Sequence, residues 1–196
     1  NLLKSFSSAR KGLLLCLCLG LTLGTGFSAN ALAASKLGEP VADFTLKDYR
    51  GREISSQEYQ QAPAVVVAFL GTQCPLAKLY SVRLQELADR FAAQGVVVLG
   101  VCANVQDSPT EMAAFVKQHN LKYPLLKDVG NVLADRLGAE RTPEVFLLDA
   151  NRIVRYQGRV DDQYVIGVQR QRAQREDLRV AIQEVLAGKT VTQPRT

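Results

Sequence analysis

The side chains in this 196-residue sequence best suited to covalent chemistry are two cysteines, Cys74 and Cys102. The apolar run Ala62 to Leu70 (APAVVVAFL) is broken by Gly71-Thr72-Gln73, and Cys74 follows these and directly precedes Pro75. From there Leu76, Tyr80, Leu84, Leu87 and Phe91 recur at spacings of 4, 4, 3 and 4, one stripe of a helix. Proline suits the first helical position, where its missing N–H costs nothing. The sulfur is therefore expected at a strand-to-helix junction. Unpaired N–H groups and a partial positive charge at such a point favour a thiolate, which is the attacking form of cysteine. Lys78, one helical turn further on, adds positive charge if its side chain turns back. The competing reading, an inert small hydrophobe, is disfavoured by this placement.

Cys102 ends the second apolar run, Gly95 to Val101. Its strand is expected beside the one that leads to Cys74, which puts both thiols at the carboxyl edge of the sheet, where open α/β sheets bind ligands. Neighbouring strands lie about 4.8 Å apart and a disulfide needs Cα atoms within about 7 Å, so a bond is within reach while its orientation stays open. A buried structural thiol is the preferred reading for Cys102, and a resolving thiol the alternative. The single histidine, His119, excludes any site that needs two His ligands and reads as a charge partner for a helix C-terminus. Arg170, Arg172, Arg175 and Arg179 are interrupted by Glu176, Asp177 and Glu184, as on a solvated face. Neither a phosphate-cradling glycine loop nor a Ser–His–acid set is recognisable.

The elements needed to hold these residues alternate in type. Val41 to Leu46 and Arg52 to Ile54, across a turn at Gly51, predict a hairpin of short strands. Asp107-Ser108-Pro109 opens a helix that runs to about His119, with Glu111 in its first turn. Tyr123 to Leu126 reads as a short strand, Val129 to Leu137 as a short helix, and Glu144 to Leu148 with Arg152 to Tyr156 as a second hairpin. Leu178, Ala181, Ile182 and Val185 mark a last amphipathic helix ending at Gly188. Two strand–helix–strand units require right-handed parallel crossovers, and the hairpins add antiparallel strands. The expected class is α/β, a mixed central sheet with helices on both faces and an N-terminal β-hairpin.

With 47% hydrophobic and 22% charged residues, the composition is that of a globular chain with ample core material. It excludes a disordered, collagenous or multi-span membrane protein. Lys4, Arg10 and Lys11 supply three of the five net positive charges, and the small remainder argues against nucleic-acid partners. The same three residues precede the apolar stretch Gly12 to Phe27 and the small-x-small sites Ala29-Asn30-Ala31 and Ala31-Leu32-Ala33. This is the pattern of a secretory signal over residues 1–33, with an uncleaved anchor, and membrane association through it, as the alternative. Cys16 and Cys18 are then filler within the signal. The mature protein, exported to the periplasm or outside the cell, runs as one domain over 34–188. A polar tail or start of a linker follows over 189–196.

Phe69 to Lys78 (FLGTQCPLAK) resembles the active-site segment of the thioredoxin-like superfamily. Glu39 to Leu46 (EPVADFTL) with Gly51 resembles the N-terminal hairpin of its redoxin branch, the alkyl hydroperoxide reductase/thiol-specific antioxidant group. Arg141-Thr142-Pro143 resembles that superfamily's cis-proline loop. The resemblance spans Leu37 to Gly188. It implies a thioredoxin-like fold and Cys74 as nucleophile toward a disulfide or peroxide. It also implies Thr72, Gln73, Thr142 and Pro143 around the substrate, Lys78 and Arg141 as auxiliaries, and Cys102 as a candidate resolving thiol. It calls for no cofactor. The family's copper-binding members use two close cysteines and a histidine, and here the second cysteine is replaced by Ala77, so no metal is expected. Gln73 stands where thioredoxins often carry tryptophan. Thr72 lies two residues before Cys74, where peroxiredoxins place threonine three before, and Pro143 stands where they carry arginine. The partners implied are thiol, disulfide or peroxide substrates. Two other readings stay open: a redoxin scaffold that binds without turnover, and the N-terminal domain of a longer exported protein in which Gly158 to Gln174 is a contact surface.

Overall fold

All seven residues of β3 (Ala64–Leu70) are buried, because the strand is covered on both faces. The computed structural model describes residues 37–165 and 168–196; the expected signal at 1–33 lies outside them. β3 is the fifth of seven strands, in the order β2-β1-β5-β4-β3-β6-β7. The others are β1 (Thr45–Asp48), β2 (Glu53–Ser55), β4 (Val97–Cys102), β5 (Leu125–Lys127), β6 (Glu144–Asp149) and β7 (Val154–Gly158). β3, β4 and β5 are parallel neighbours joined through α1 (Pro75–Phe91) and α2 (Pro109–Gln118), and β1, β2, β6 and β7 add antiparallel pairs. This is the mixed α/β sheet expected from the sequence, N-terminal hairpin included.

Alternate residues of β3 feed two separate cores. Val66, Ala68 and Leu70 pack with Ala77, Tyr80 and Leu84 of α1, Met112 and Phe115 of α2, and Leu178 and Ile182 of α4 (Asp177–Leu186). Val65, Val67 and Phe69 pack on the other face with Leu133 and Leu137 of α3 (Val132–Leu137). One expected position differs. Leu76 is 38% exposed, and Ala77 takes the buried place in the first turn of α1. Both residues satisfy a 3.6-residue period, so apolarity alone does not choose between them.

The first core is tight at Gly100 of β4. A Cβ there would lie 2.8 Å from Leu125 Cδ1 and 3.0 Å from Tyr123 Cε2, both buried. Gly100→Ala is expected to destabilise the fold by about 1–3 kcal/mol through overpacking. Urea denaturation checks this, and an unchanged midpoint would contradict it.

Two segments expected as a loop and as a tail make defined contacts through their described residues. Residues 158–174 contain the two-stranded β8 (Tyr164–Val165) and β9 (Val168–Gln169). The segment folds back on α1: Tyr80 donates its hydroxyl to Asp161 Oδ1 at 2.7 Å, Arg83 pairs with Asp161 and Gln163, and the Tyr164 ring meets Tyr80 edge-on at 5.6 Å. The polar tail returns along β7, where the Gln157 N–H donates to the Pro194 carbonyl at 2.9 Å. The Thr196 hydroxyl lies 2.7 Å from that of Tyr156 and accepts the Arg159 N–H at 3.0 Å.

Candidate functional site

Cys74 is the residue that caps α1. Its backbone is extended (φ −72°, ψ 119°), its carbonyl accepts the Lys78 N–H at 3.1 Å, and Pro75 opens the helix. The turn before it is closed by a Cys74 N–H bond to the Gly71 carbonyl at 3.1 Å. The side chain is half-buried and the thiol is free. The sulfur makes no capping bond to the N–H groups of its own helix. It faces instead across to the loop before β6, where the thiol donates to the Thr142 carbonyl at 3.4 Å. The Thr142–Pro143 peptide is cis. Residues 68 apart in sequence are thus brought together beside a cis-proline.

The other expected site residues are placed differently. Thr72 is buried, and both its N–H and its hydroxyl donate to Asp107 Oδ1, at 3.0 and 2.6 Å. That hydroxyl is committed to the protein interior. Gln73 is exposed, its amide 3.4 Å from Glu111 Oε1. Arg141 is exposed and donates to the Thr196 carbonyl at 3.0 Å, a contact that draws its guanidinium toward the tail. Lys78 is half-buried, and its charge acts on His119 at the end of α2.

Cys102 lies in register with Leu70, fully buried in the first core. Burial pushes its thiol well up from the ordinary range; the Asp107 charge and a hydrogen bond to Asp107 add to this, and Lys127 opposes it. It is a free thiol. The structural reading of Cys102 fits this buried position. His119 differs from its expected role. Its pKa is lowered, first by burial and then by Lys78, and its ring packs against Phe115 at 4.7 Å. The charged form is therefore disfavoured where a dipole partner would favour it.

Two acidic residues near this site were not singled out as chemistry. Of the Asp107-Ser108 pair that opens α2, Ser108 is the cap, in a reciprocal box with Glu111. Asp107 turns away toward Thr72. Two cap-forming residues in a row were the available signal, since only one of them can cap. Glu144, also buried, accepts the Glu140 N–H at 2.8 Å and the Gln157 amide at 3.1 Å, and so ties the cis-proline loop to β7. Among the described residues no group of three or more His, Cys, Asp or Glu side chains is arranged to hold a metal ion.

The family model of the AhpC/TSA family matches residues 37–157. The chain belongs to the AhpC/TSA family. This redoxin chain is similar to members of two functional groups. It is 30% identical over 124 residues to the chloroplastic peroxiredoxin Q of Gentiana triflora, covering 60% of this chain and 56% of that protein. It is 27% identical over 137 residues to the thiol-disulfide oxidoreductase ResA of Bacillus thuringiensis subsp. konkukian (strain 97-27), covering 70% and 77%. Among solved structures, a hypothetical protein of Sinorhizobium meliloti 1021, SMc02350, superposes with a TM-score of 0.72 at 32% identity, over 83% of this chain and 92% of that one. The AhpC/TSA chain therefore has a thioredoxin-like α/β fold in a family of peroxiredoxin-like and thiol-disulfide redoxins.

Proposed function

We propose that the protein is an exported thiol–disulfide oxidoreductase that works with one cysteine. The observation that carries this reading is the placement of Cys74 Sγ at the start of α1, 3.4 Å from the Thr142 carbonyl beside the cis-proline. A substrate chain laid along that loop would present its disulfide to the sulfur. The Cys74 thiolate attacks one substrate sulfur, the S–S bond breaks, and the second substrate sulfur leaves as a thiolate. The resulting mixed disulfide is resolved by an external thiol. Ala77 removes the usual second cysteine, and Cys102 is sealed in the core. Two further placements favour a disulfide over a peroxide. The Thr72 hydroxyl is bound to Asp107 and the Arg141 guanidinium to Thr196, so neither contact directs a donor toward an oxyanion at Cys74.

Export rests on the basic, apolar and small-x-small order of residues 1–33. Among the described residues no helix is long and apolar enough to cross a membrane.

Mass spectrometry of the reduced protein after oxidised glutathione and, separately, after hydrogen peroxide tests the reading. The expected result is a glutathione adduct on Cys74 with Cys102 unmodified. Sulfenic acid on Cys74 at low peroxide with no glutathione adduct would replace the disulfide with a peroxide substrate. A Cys74–Cys102 bond would overturn the one-cysteine mechanism, and no modification at all would leave a binding scaffold.

A further inference from the structure

Thr72, Asn104, Asp107 and Gly71 form a buried clamp behind the nucleophile loop. Asp107 is fully buried and, besides its bond with the Cys102 thiol, accepts the Thr72 N–H at 3.0 Å and hydroxyl at 2.6 Å on Oδ1 and the Asn104 amide at 2.8 Å on Oδ2. The same Asn104 nitrogen lies against the chain at Gly71. A Cβ on Gly71 would lie 2.6 Å from Asn104 Nδ2, 3.5 Å from Thr142 Oγ1 and 3.6 Å from Cys74 Cβ. Gly71 is therefore the point at which the Asn104 amide, the cis-proline loop and the cysteine converge. Lys127 of β5 closes the clamp from behind through the Asn104 carbonyl.

We infer that Asp107 is a positioning residue for thiol–disulfide exchange: through Thr72 and Asn104 it fixes the Gly71–Cys74 turn and so sets where the sulfur lies against Thr142. Cys74 itself has half-exposed surroundings and one long bond to a carbonyl, too little to hold the sulfur in one place. The rigidity comes from the turn before it. One carboxyl oxygen takes both donors of Thr72, which fixes the backbone and the side chain of the same residue together. The other oxygen orients the amide on which Gly71 rests. Exchange is sensitive to this alignment because the attacking sulfur must approach along the S–S axis of a substrate held by the cis-proline loop. A small alkylating agent has no such requirement, since it approaches Cys74 from solvent in any orientation.

The inference rests on Cys74 being the nucleophile, and the experiment separates the two. In the full chain, two rates are measured for each variant: exchange with a disulfide-bonded peptide, and alkylation of Cys74 by iodoacetamide across pH. Asp107→Ala is expected to lower the exchange rate about 10- to 100-fold and to leave the alkylation rate and its pH profile close to wild type. Thr72→Val, which removes only the hydroxyl bond, is expected to give a smaller loss of the same kind, restored in Thr72→Ser. Thr72→Val also serves if Asp107→Ala does not fold, as judged by thermal melting. An unchanged exchange rate in the folded variants, or exchange and alkylation falling by the same factor, would overturn the clamp while Cys74 remained the nucleophile. Full exchange activity in Cys74→Ser would instead overturn the underlying reading.

Discussion

Exchange activity in Cys74→Ser is expected to fall by roughly three orders of magnitude or more, while Cys102→Ala keeps a rate within about twofold of wild type. The two substitutions remove the same element from opposite environments. At position 74 the sulfur is half-exposed, caps a seventeen-residue helix and sits 3.4 Å from the Thr142 carbonyl. A serine oxygen there neither ionises near neutral pH nor forms a stable bond to sulfur. At position 102 the thiol is fully buried, and burial disfavours its anion. Its loss leaves a small void, worth about 1 kcal/mol of stability and nothing in mechanism. Steady-state reduction of a peptide disulfide, with an excess of external thiol, measures both. If Cys102→Ala accumulated the mixed disulfide and slowed turnover tenfold, the buried thiol would have to reach Cys74 during the cycle.

Stability is expected to drop steeply above pH 10. Burial raises the pKa of Tyr80, Tyr123, Tyr156 and Cys102; the hydrogen bond to Asp161 adds to the rise at Tyr80, and the neighbouring Cys102 at Tyr123. In the unfolded chain these groups ionise at about 10 for tyrosine and 8.5 for cysteine. The folded form keeps its protons to higher pH. Between the unfolded and folded values the native state therefore binds more protons, and stability falls as pH rises. Each group contributes about 1.4 kcal/mol per pH unit in that window. The three tyrosines together give a slope near 4 kcal/mol per unit above pH 10, enough to exhaust the 5–15 kcal/mol typical of a domain within a few units. Below about pH 7 these four groups contribute almost no pH dependence, because both states are protonated. Urea midpoints at pH 8, 9.5 and 11 check this, with tyrosinate absorbance expected to rise together with unfolding. Equal midpoints at pH 8 and 11 would contradict the burial-driven shifts.

What the sequence made legible was local and periodic. The unbroken apolar run before Cys74 announced a strand covered on both faces, and Pro75 with Tyr80 and Leu84 announced α1 and its inward side. Pairing of β3 with β4, and with it the place of Cys102, followed from two strand–helix–strand units. The contacts that shape the candidate site are not local. Thr72 and Asp107 are 35 residues apart, so the Asp107-Ser108 pair shows that one of the two is left over from capping α2 but not which loop it reaches. Ser108 took the cap, and that freed its neighbour. The stretch after β7 looked like a charged loop because its partners, Tyr80 and Arg83, lie about 80 positions earlier. Leu76 and Ala77 both suit the inward side of α1, and the smaller of the two is the buried one. Burial of Cys102, in contrast, was readable from its place at the end of a strand built of valine and leucine.

The returning tail has an effect on how molecules meet. A border strand with free amides and carbonyls invites a foreign strand to zip onto it. On β7 some of those groups are already taken: Gln157 is bonded on both sides by Pro194 and Thr196, and Arg195 bridges to it in parallel. At the opposite border β2 offers three residues, too short a template for stable addition. The sheet is thus shielded at one border and abbreviated at the other. High concentrations of folded protein should remain free of strand-mediated clumping for as long as residues 194–196 stay in place.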